Sequence, residues 1–350
     1  MKRDISKKVA SPRTRVRRAL IAATLFCVSF SVVESSFGAI GLWGLRRSLQ
    51  KSGFLEEWTD ADGVFVDGVP YGPNAWNKLD LYFPKEIAPE KARGAVLFIH
   101  GGAWNAGTRQ NMSGFARRTA KHGYVAASLG YMLIGPRTKK VYSMDAVMDE
   151  IDAALKTLKE EATKRGAPLE KVALSGDSAG GHIAMLYAYS RGKDAPLPVV
   201  FVAPRVGPSD FHLETWSNLK PETVAELVSD MTRTETTVDA MQARTPEAEA
   251  AIASISPAAF VEKGFAIPTL AAYGQEDDVV LTEHRERLIA ALEKSGVPFD
   301  VVDFPTSGHL LASDPEATKR RRELFFEYAE RYLNVAPEAS GAKSVVVPAE

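Results

Sequence analysis

A serine with a glycine two positions away on each side, in the run "ALSGDSAGGH" from Ala173 to His182, is the first place where residue types and spacing could carry chemistry. A serine hydroxyl is a weak nucleophile until a base takes its proton, and small residues at both flanking positions allow a sharp turn that lifts it clear of the backbone. The pattern alone is a weak signal, so its flanks matter. "KVAL" (Lys171 to Leu174) reads as a short buried strand, and "AGGHIAMLYAYS" reads as a helix with Ile183, Leu186 and Tyr187 on one side. A phosphate-binding loop would want a lysine immediately before the serine. Asp177 stands there and would repel phosphate.

A nucleophilic Ser178 needs three further things: a base, an acid to orient it, and donors for the oxyanion. "FIHGGAWNAG" ends a strand upstream, and its small residues let backbone N–H groups converge on a negative charge. Gly102 and Ala103, with Ala179 after the serine, are the expected donors. Of six histidines, His100 belongs to that turn, His122 ends a helix, His182 follows the serine, His212 falls in a polar helical interval and His284 sits on a charged helix. His309, in "PTSGHLL", lies in a loop directly after the last strand and is the expected base. For the acid, "AAYGQEDDVV" ends another strand with Glu276, Asp277 and Asp278, and strand C-terminal ends are where the sites of open α/β sheets gather.

These residues need a scaffold, and the chain supplies a regular one. Strands are expected at Lys78 to Phe83, Gly94 to His100, Tyr124 to Tyr131, Lys171 to Leu174, Leu197 to Ala203, Ile267 to Gly274 and Phe299 to Phe304. Several are nearly continuously apolar, as parallel strands buried on both faces must be. Helical stretches separate most of them. In the clearest, Ser143 to Arg165, Met144, Val147, Met148, Ile151, Leu155 and Leu158 hold a 3,4 spacing, and Gly166 follows as a C-terminal stop. Alternating strands and helices predict a doubly wound, mostly parallel α/β sheet. The interval 207–256 lacks a strand and carries helical runs with Pro221 and Pro246 near helix starts, which predicts a small helical cap. Phe211 and Trp216 in that cap, and Trp104 in the oxyanion turn, are expected to wall a substrate pocket.

The ends read differently. Residues 1–18 carry eight basic side chains against Asp4, and "ALIAATLFCVSFSVV" (Ala19 to Val33) follows, a run that fits an export signal cleaved before Ala39 or an uncleaved membrane anchor. Either places the domain outside the cytoplasm. The whole chain has a net charge of −1, and loss of residues 1–38 removes eight basic and two acidic residues, leaving −7. Such an acidic body is a poor partner for nucleic acid. The one cysteine, Cys27, lies in the apolar leader, so the remainder has no disulfide chemistry. The main domain is expected over 39–333, and the Pro-, Ala- and Gly-rich end, 334–350, reads as a disordered tail.

Taken together, "VPYGPNAWNKLDLYFP", "FIHGGAWNAG", "SGDSAGGH", "SPAAFV", "YGQEDDVV" and "FPTSGHLL" resemble the α/β-hydrolase-fold esterases, closest to the acetyl/feruloyl-type carboxylesterases, kynurenine formamidases and the hormone-sensitive-lipase family. The resemblance covers roughly Val69 to Tyr332. It implies Ser178 as nucleophile, His309 as base and, third after Gly274, Asp277 as acid, with a small-molecule ester as substrate and no metal or cofactor. Two departures stand out: Ala103 occupies the place of a third glycine, and "YML" (Tyr131 to Leu133) the place of Tyr-Arg-Leu. The first keeps a backbone donor, whereas the second bears on local loop geometry. Amide hydrolysis by the same groups, or a catalytically inactive binding domain, are the alternative readings.

Overall fold

The computed structural model describes residues 56–134, 142–335 and 345–346. In chain order the elements are β1 (Gly63–Pro70), β2 (Lys78–Pro84), the two-residue β3 (Glu86–Ile87), β4 (Gly94–Ile99), α1 (Ser113–Lys121), β5 (Val125–Gly130), α2 (Met144–Lys164), β6 (Lys171–Asp177), α3 (Ala179–Ser190) and β7 (Val199–Arg205). They continue with α4 (Pro221–Thr232), α5 (Val238–Gln242), α6 (Pro246–Ile255), α7 (Pro257–Glu262), β8 (Thr269–Gly274), α8 (Thr282–Ser295), β9 (Phe299–Phe304), α9 (Pro315–Leu333) and β10 (Val345–Val346).

Eight strands form one sheet in the order β1-β2-β5-β4-β6-β7-β8-β9. The β1/β2 and β2/β5 pairs are antiparallel, and every pair from β5 through β4 to β9 is parallel. This is the mostly parallel, doubly wound sheet of the α/β-hydrolase fold. All residues of β4, β5 and β8 are buried, which explains their continuous apolar runs. Alternate side chains serve two cores. Leu97, Ile99 and Leu174 join Val147, Ile151, Ile183 and Leu186 of α2 and α3 on one face. Val96, Phe98 and Phe201 join Phe115 of α1 and Phe325 and Tyr328 of α9 on the other.

Helix α2 begins where its cap dictates: the Ser143 hydroxyl accepts from the Ala146 N–H at 3.2 Å. The interval 207–256 holds a 3₁₀ turn, Leu213–Trp216, then α4, α5 and α6, with Pro221 and Pro246 in the first turns of α4 and α6. Strand β1 went unread in the sequence because "GVFVDGVP" carries two glycines and a proline and faces partly outward, with Phe65 exposed. Residues 1–38, the expected signal or anchor, lie outside the described residues. So does most of 334–350, although Val345 and Val346 pair antiparallel with Ile87 and Glu86.

Candidate functional site

Ser178 occupies the turn between β6 and α3 with φ +55° and ψ −122°, a left-handed conformation rare for a residue with a Cβ. Such a conformation costs about 1–3 kcal/mol and persists only where surrounding contacts impose it. The two flanking glycines impose it by permitting close backbone approach. A Cβ on Gly176 would stand 2.4 Å from the Gly180 oxygen, and one on Gly180 would stand 2.1 Å from the Ile99 oxygen. The turn is therefore pressed against the end of β4, and it can close only without side chains there. The Ser178 N–H donates to the Arg205 oxygen at 2.9 Å, which ties the turn to β7 as well.

The late loops bring the other groups to it. Ser178 Oγ lies 2.9 Å from His309 Nε2, and His309 Nδ1 lies 2.8 Å from Asp277 Oδ2. Because a carboxylate can only accept, Nδ1 carries the proton and Nε2 is left to accept from the serine hydroxyl. The other Asp277 oxygen accepts from the Val279 and Val280 N–H groups at 2.9 and 3.0 Å. Its side chain is wholly buried, while Glu276 and Asp278 are exposed. The loop after β9 is itself braced: Glu276 N–H donates to the Ser307 oxygen, and the Ser307 and Thr306 hydroxyls donate to Asp314 at the start of α9.

The turn after β4 lies beside Ser178, since a Cβ on Gly101 would meet the Asp177 oxygen at 2.7 Å and the Ser178 Cβ at 3.2 Å. It runs through positive φ at Gly102 (+123°), Ala103 (+49°) and Trp104 (+60°). Among the described residues, the N–H groups of Gly102, Ala103 and Ala179 donate to no other backbone carbonyl. His100 stacks on Tyr131 with ring centroids 4.3 Å apart, and the Tyr131 hydroxyl donates to the His100 oxygen. Thus Tyr131 of "YML" buttresses this turn.

Trp104, Phe211 and Trp216, expected to wall a pocket, instead pack on one another with centroids 5.5–6.5 Å apart. Phe211 has no exposed surface, and the two tryptophans have 5% each. The Trp216 N–H donates to the Asp210 oxygen. The Trp104 N–H donates to His182 Nδ1 at 3.0 Å, and His182 Nε2 in turn donates to the Ile255 oxygen at 2.7 Å. Burial holds His100 and His182 down to about 4 and His284 to about 3, so all three are neutral imidazoles over most of the pH range. His212 goes the other way: its bond to Asp210 at 2.7 Å, with Glu249 on its far nitrogen, raises it. Neither the His182 bridge nor the Asp210–His212–Glu249 group was read from the sequence. His182 and Ile255, like His212 and Glu249, are distant along the chain, and the Asp210–His212 pair has no spacing signature of its own.

The chain resembles known proteins over most of its length. The BD-FAE family model matches residues 79–292. Esterase LipQ of Mycobacterium tuberculosis is 25% identical over 278 residues, which span 76% of this chain and 61% of that protein. A truncated carbohydrate esterase from gut microbiota superimposes with a TM-score of 0.62 at 20% identity, covering 79% of this chain and 99% of that one. Esterase B from Lactobacillus rhamnosis does so with a TM-score of 0.61 at 18% identity, covering 90% and 95%.

Proposed function

The chain belongs to the BD-FAE family, and from that premise we propose that it is a serine hydrolase of carboxylic esters working through Ser178, His309 and Asp277. The observation that carries this reading is the relay itself, with 2.9 Å from Ser178 Oγ to His309 Nε2 and 2.8 Å from His309 Nδ1 to Asp277. As the Ser178 oxygen attacks the acyl carbon, His309 Nε2 takes its proton. Asp277 holds the ring in that tautomer and steadies the imidazolium. The N–H groups of Gly102, Ala103 and Ala179 receive the oxyanion, and because they are prepositioned they need no reorganisation as the charge develops. His309 then protonates the departing alcohol, leaving an acyl-enzyme on Ser178. Water, deprotonated by the same imidazole, releases the acid and restores the serine.

Esters are favoured over amides because LipQ and Esterase B, two of the proteins this chain is similar to, are esterases. The residues at the turn do not by themselves distinguish the two leaving groups. Incubation with an organophosphonate is expected to label Ser178 stoichiometrically, with loss of p-nitrophenyl ester turnover. Ser178→Ala is expected to abolish both labelling and turnover. Label on another residue, or ester turnover persisting in Ser178→Ala, would refute the proposal, and faster turnover of formyl amides than of any ester would move it to an amidase. The N-terminal segment 1–38 supports export of this activity, as a cleaved signal or as an anchor, by its basic start and short apolar run.

A further inference from the structure

On the sheet face opposite α2 and α3, four guanidinium groups converge between α1 and α9. Arg118, Arg205, Arg321 and Arg322 line a cavity of about 40 Å³ whose wall includes Phe98 and Phe325. Arg205 and Arg321 are buried, at 4% and 8% exposure. Arg205 pairs with Asp177 (Nη1–Oδ1 3.3 Å) and Arg118 with Glu56 (Nη2–Oε2 2.8 Å). Among the described residues, no carboxylate comes within ion-pair distance of Arg321 or Arg322. Arg321 Nη2 reaches the Ala203 oxygen at 3.4 Å, and its Nε has no partner.

Among the described residues, four cations face two carboxylates in a partly desolvated, aromatic-walled space, and a buried cation without a counterion of its own is costly. Burial first, and then the like charge of Arg205, push Arg321 below the ordinary arginine range, with the Asp177 carboxylate opposing them in part. An anion in the cavity would oppose both effects. The fork of a guanidinium matches a carboxylate with two parallel N–H bonds. The rings of Phe98 and Phe325 offer an alkyl group a dry contact, which chloride and inorganic phosphate cannot use. A volume of about 40 Å³ admits a few water-sized groups, the scale of acetate or propionate.

We propose that this cavity binds a short-chain carboxylate, its oxygens held by Arg321 and Arg322 and its alkyl end against Phe98 and Phe325. None of Ser178, His309 or Asp277 lines it. It touches the nucleophile turn at second hand, since Arg205 pairs with Asp177 and its carbonyl oxygen accepts from the Ser178 N–H. Binding does not depend on the esterase reading, so the two stand or fall separately. If ester hydrolysis is the reaction, the ligand belongs to the class of acid it releases.

The test uses the full chain carrying Ser178→Ala, unfolded thermally in sodium propionate, chloride and phosphate at one ionic strength. A ligand that binds only the folded state raises Tm in a saturable way. Propionate is expected to raise Tm by several degrees and chloride and phosphate to leave it unchanged. Arg322→Gln, a surface substitution, is expected to weaken the apparent propionate affinity at least tenfold. Arg321→Met is expected to abolish the response while raising Tm in chloride, because it removes a buried cation. Equal Tm values in the three salts, a larger shift in phosphate, or a propionate shift unaltered by Arg322→Gln would each overturn the proposal, the last by locating the carboxylate elsewhere. Should Arg321→Met fail to fold, Arg322→Gln alone decides.

Discussion

Replacing Asp277 by asparagine tests the relay at its most specific point. One carboxylate oxygen accepts from two backbone N–H groups, Val279 and Val280, and the other accepts from His309 Nδ1. Asparagine has one acceptor oxygen. Facing the two N–H donors, that oxygen keeps two bonds, and the amide N–H₂ must then turn to His309. A donor at Nδ1 forces the imidazole into the tautomer whose proton is on Nε2, pointing at Ser178 Oγ. In that state the ring cannot take the serine proton. The loss is therefore expected in kcat, by up to about 10⁴-fold or roughly 5.5 kcal/mol of transition-state stabilisation, with KM little changed. Folding should survive, because the substitution is isosteric and keeps the loop bonds. Asp278 is exposed, and its backbone oxygen, not its carboxylate, accepts from Asn218. Asp278→Asn is expected to change kcat by no more than about twofold. The assay is steady-state hydrolysis of a p-nitrophenyl ester, with thermal unfolding of each variant as the folding control. Activity of Asp277→Asn within tenfold of the parent, or a greater loss in Asp278→Asn, would refute the tautomer argument.

Three further outcomes are expected. His100, His182 and His284 are held neutral by burial at about 4, 4 and 3, so below the unfolded value of about 6.5 the unfolded chain takes up protons that the folded chain refuses. Their contribution is complete above pH 6.5 and lost as pH falls from there toward 4, each costing up to about 1.4 kcal/mol per pH unit. His212, raised by Asp210, offsets part of this by favouring the folded state in acid. Urea unfolding at pH 7.5 and 5.0 should show the drop, and equal stabilities would contradict it. Gly180→Ala should cost about 3 kcal/mol or more, because its Cβ would meet the Ile99 backbone oxygen at 2.1 Å, and a soluble variant with the parental Tm would exclude the close approach. Protein recovered after export is expected to begin near Ala39, and N-terminal sequencing that finds the leader intact on a membrane fraction would select the anchor.

Much of this arrangement was legible in the residues because it is local or ordered by the sheet. Continuous apolar runs marked the buried parallel strands, and chain order alone put Ser178, the Asp277 loop and His309 at one end of the sheet. Strand β1 was lost because an edge strand with one face outward and glycines inside has little hydrophobic signal. The choice among Glu276, Asp277 and Asp278 rested on resemblance, since all three share a turn, and only the fold shows which carboxylate is buried under the imidazole. The aromatic residues Trp104, Phe211 and Trp216 suggested a pocket wall, yet aromatic side chains bury the most area and are first to be absorbed into packing. The paired Asp177 and Arg205 are 28 residues apart on adjacent strands, a distance no sequence period encodes.

The His182 bridge bears on how a substrate reaches Ser178. One imidazole accepts a hydrogen bond from Trp104 in the turn after β4 and donates one to the Ile255 oxygen at the last turn of α6. Parting α6 from the body would break a buried bond and leave a ring N–H and a carbonyl without water, at about 1–3 kcal/mol for each stranded group. Any opening of the cap therefore pivots about its α6 end. Freedom is left to the stretch around α5, where Arg244, just after it, and Glu214 of the 3₁₀ turn hold each other in solvent. The cap is tied to the body at α6 by this buried bridge and at the end of α4 by the Arg233 bond to the Tyr142 oxygen, so its slowest-exchanging amides should be those of α6 and its fastest those of α5.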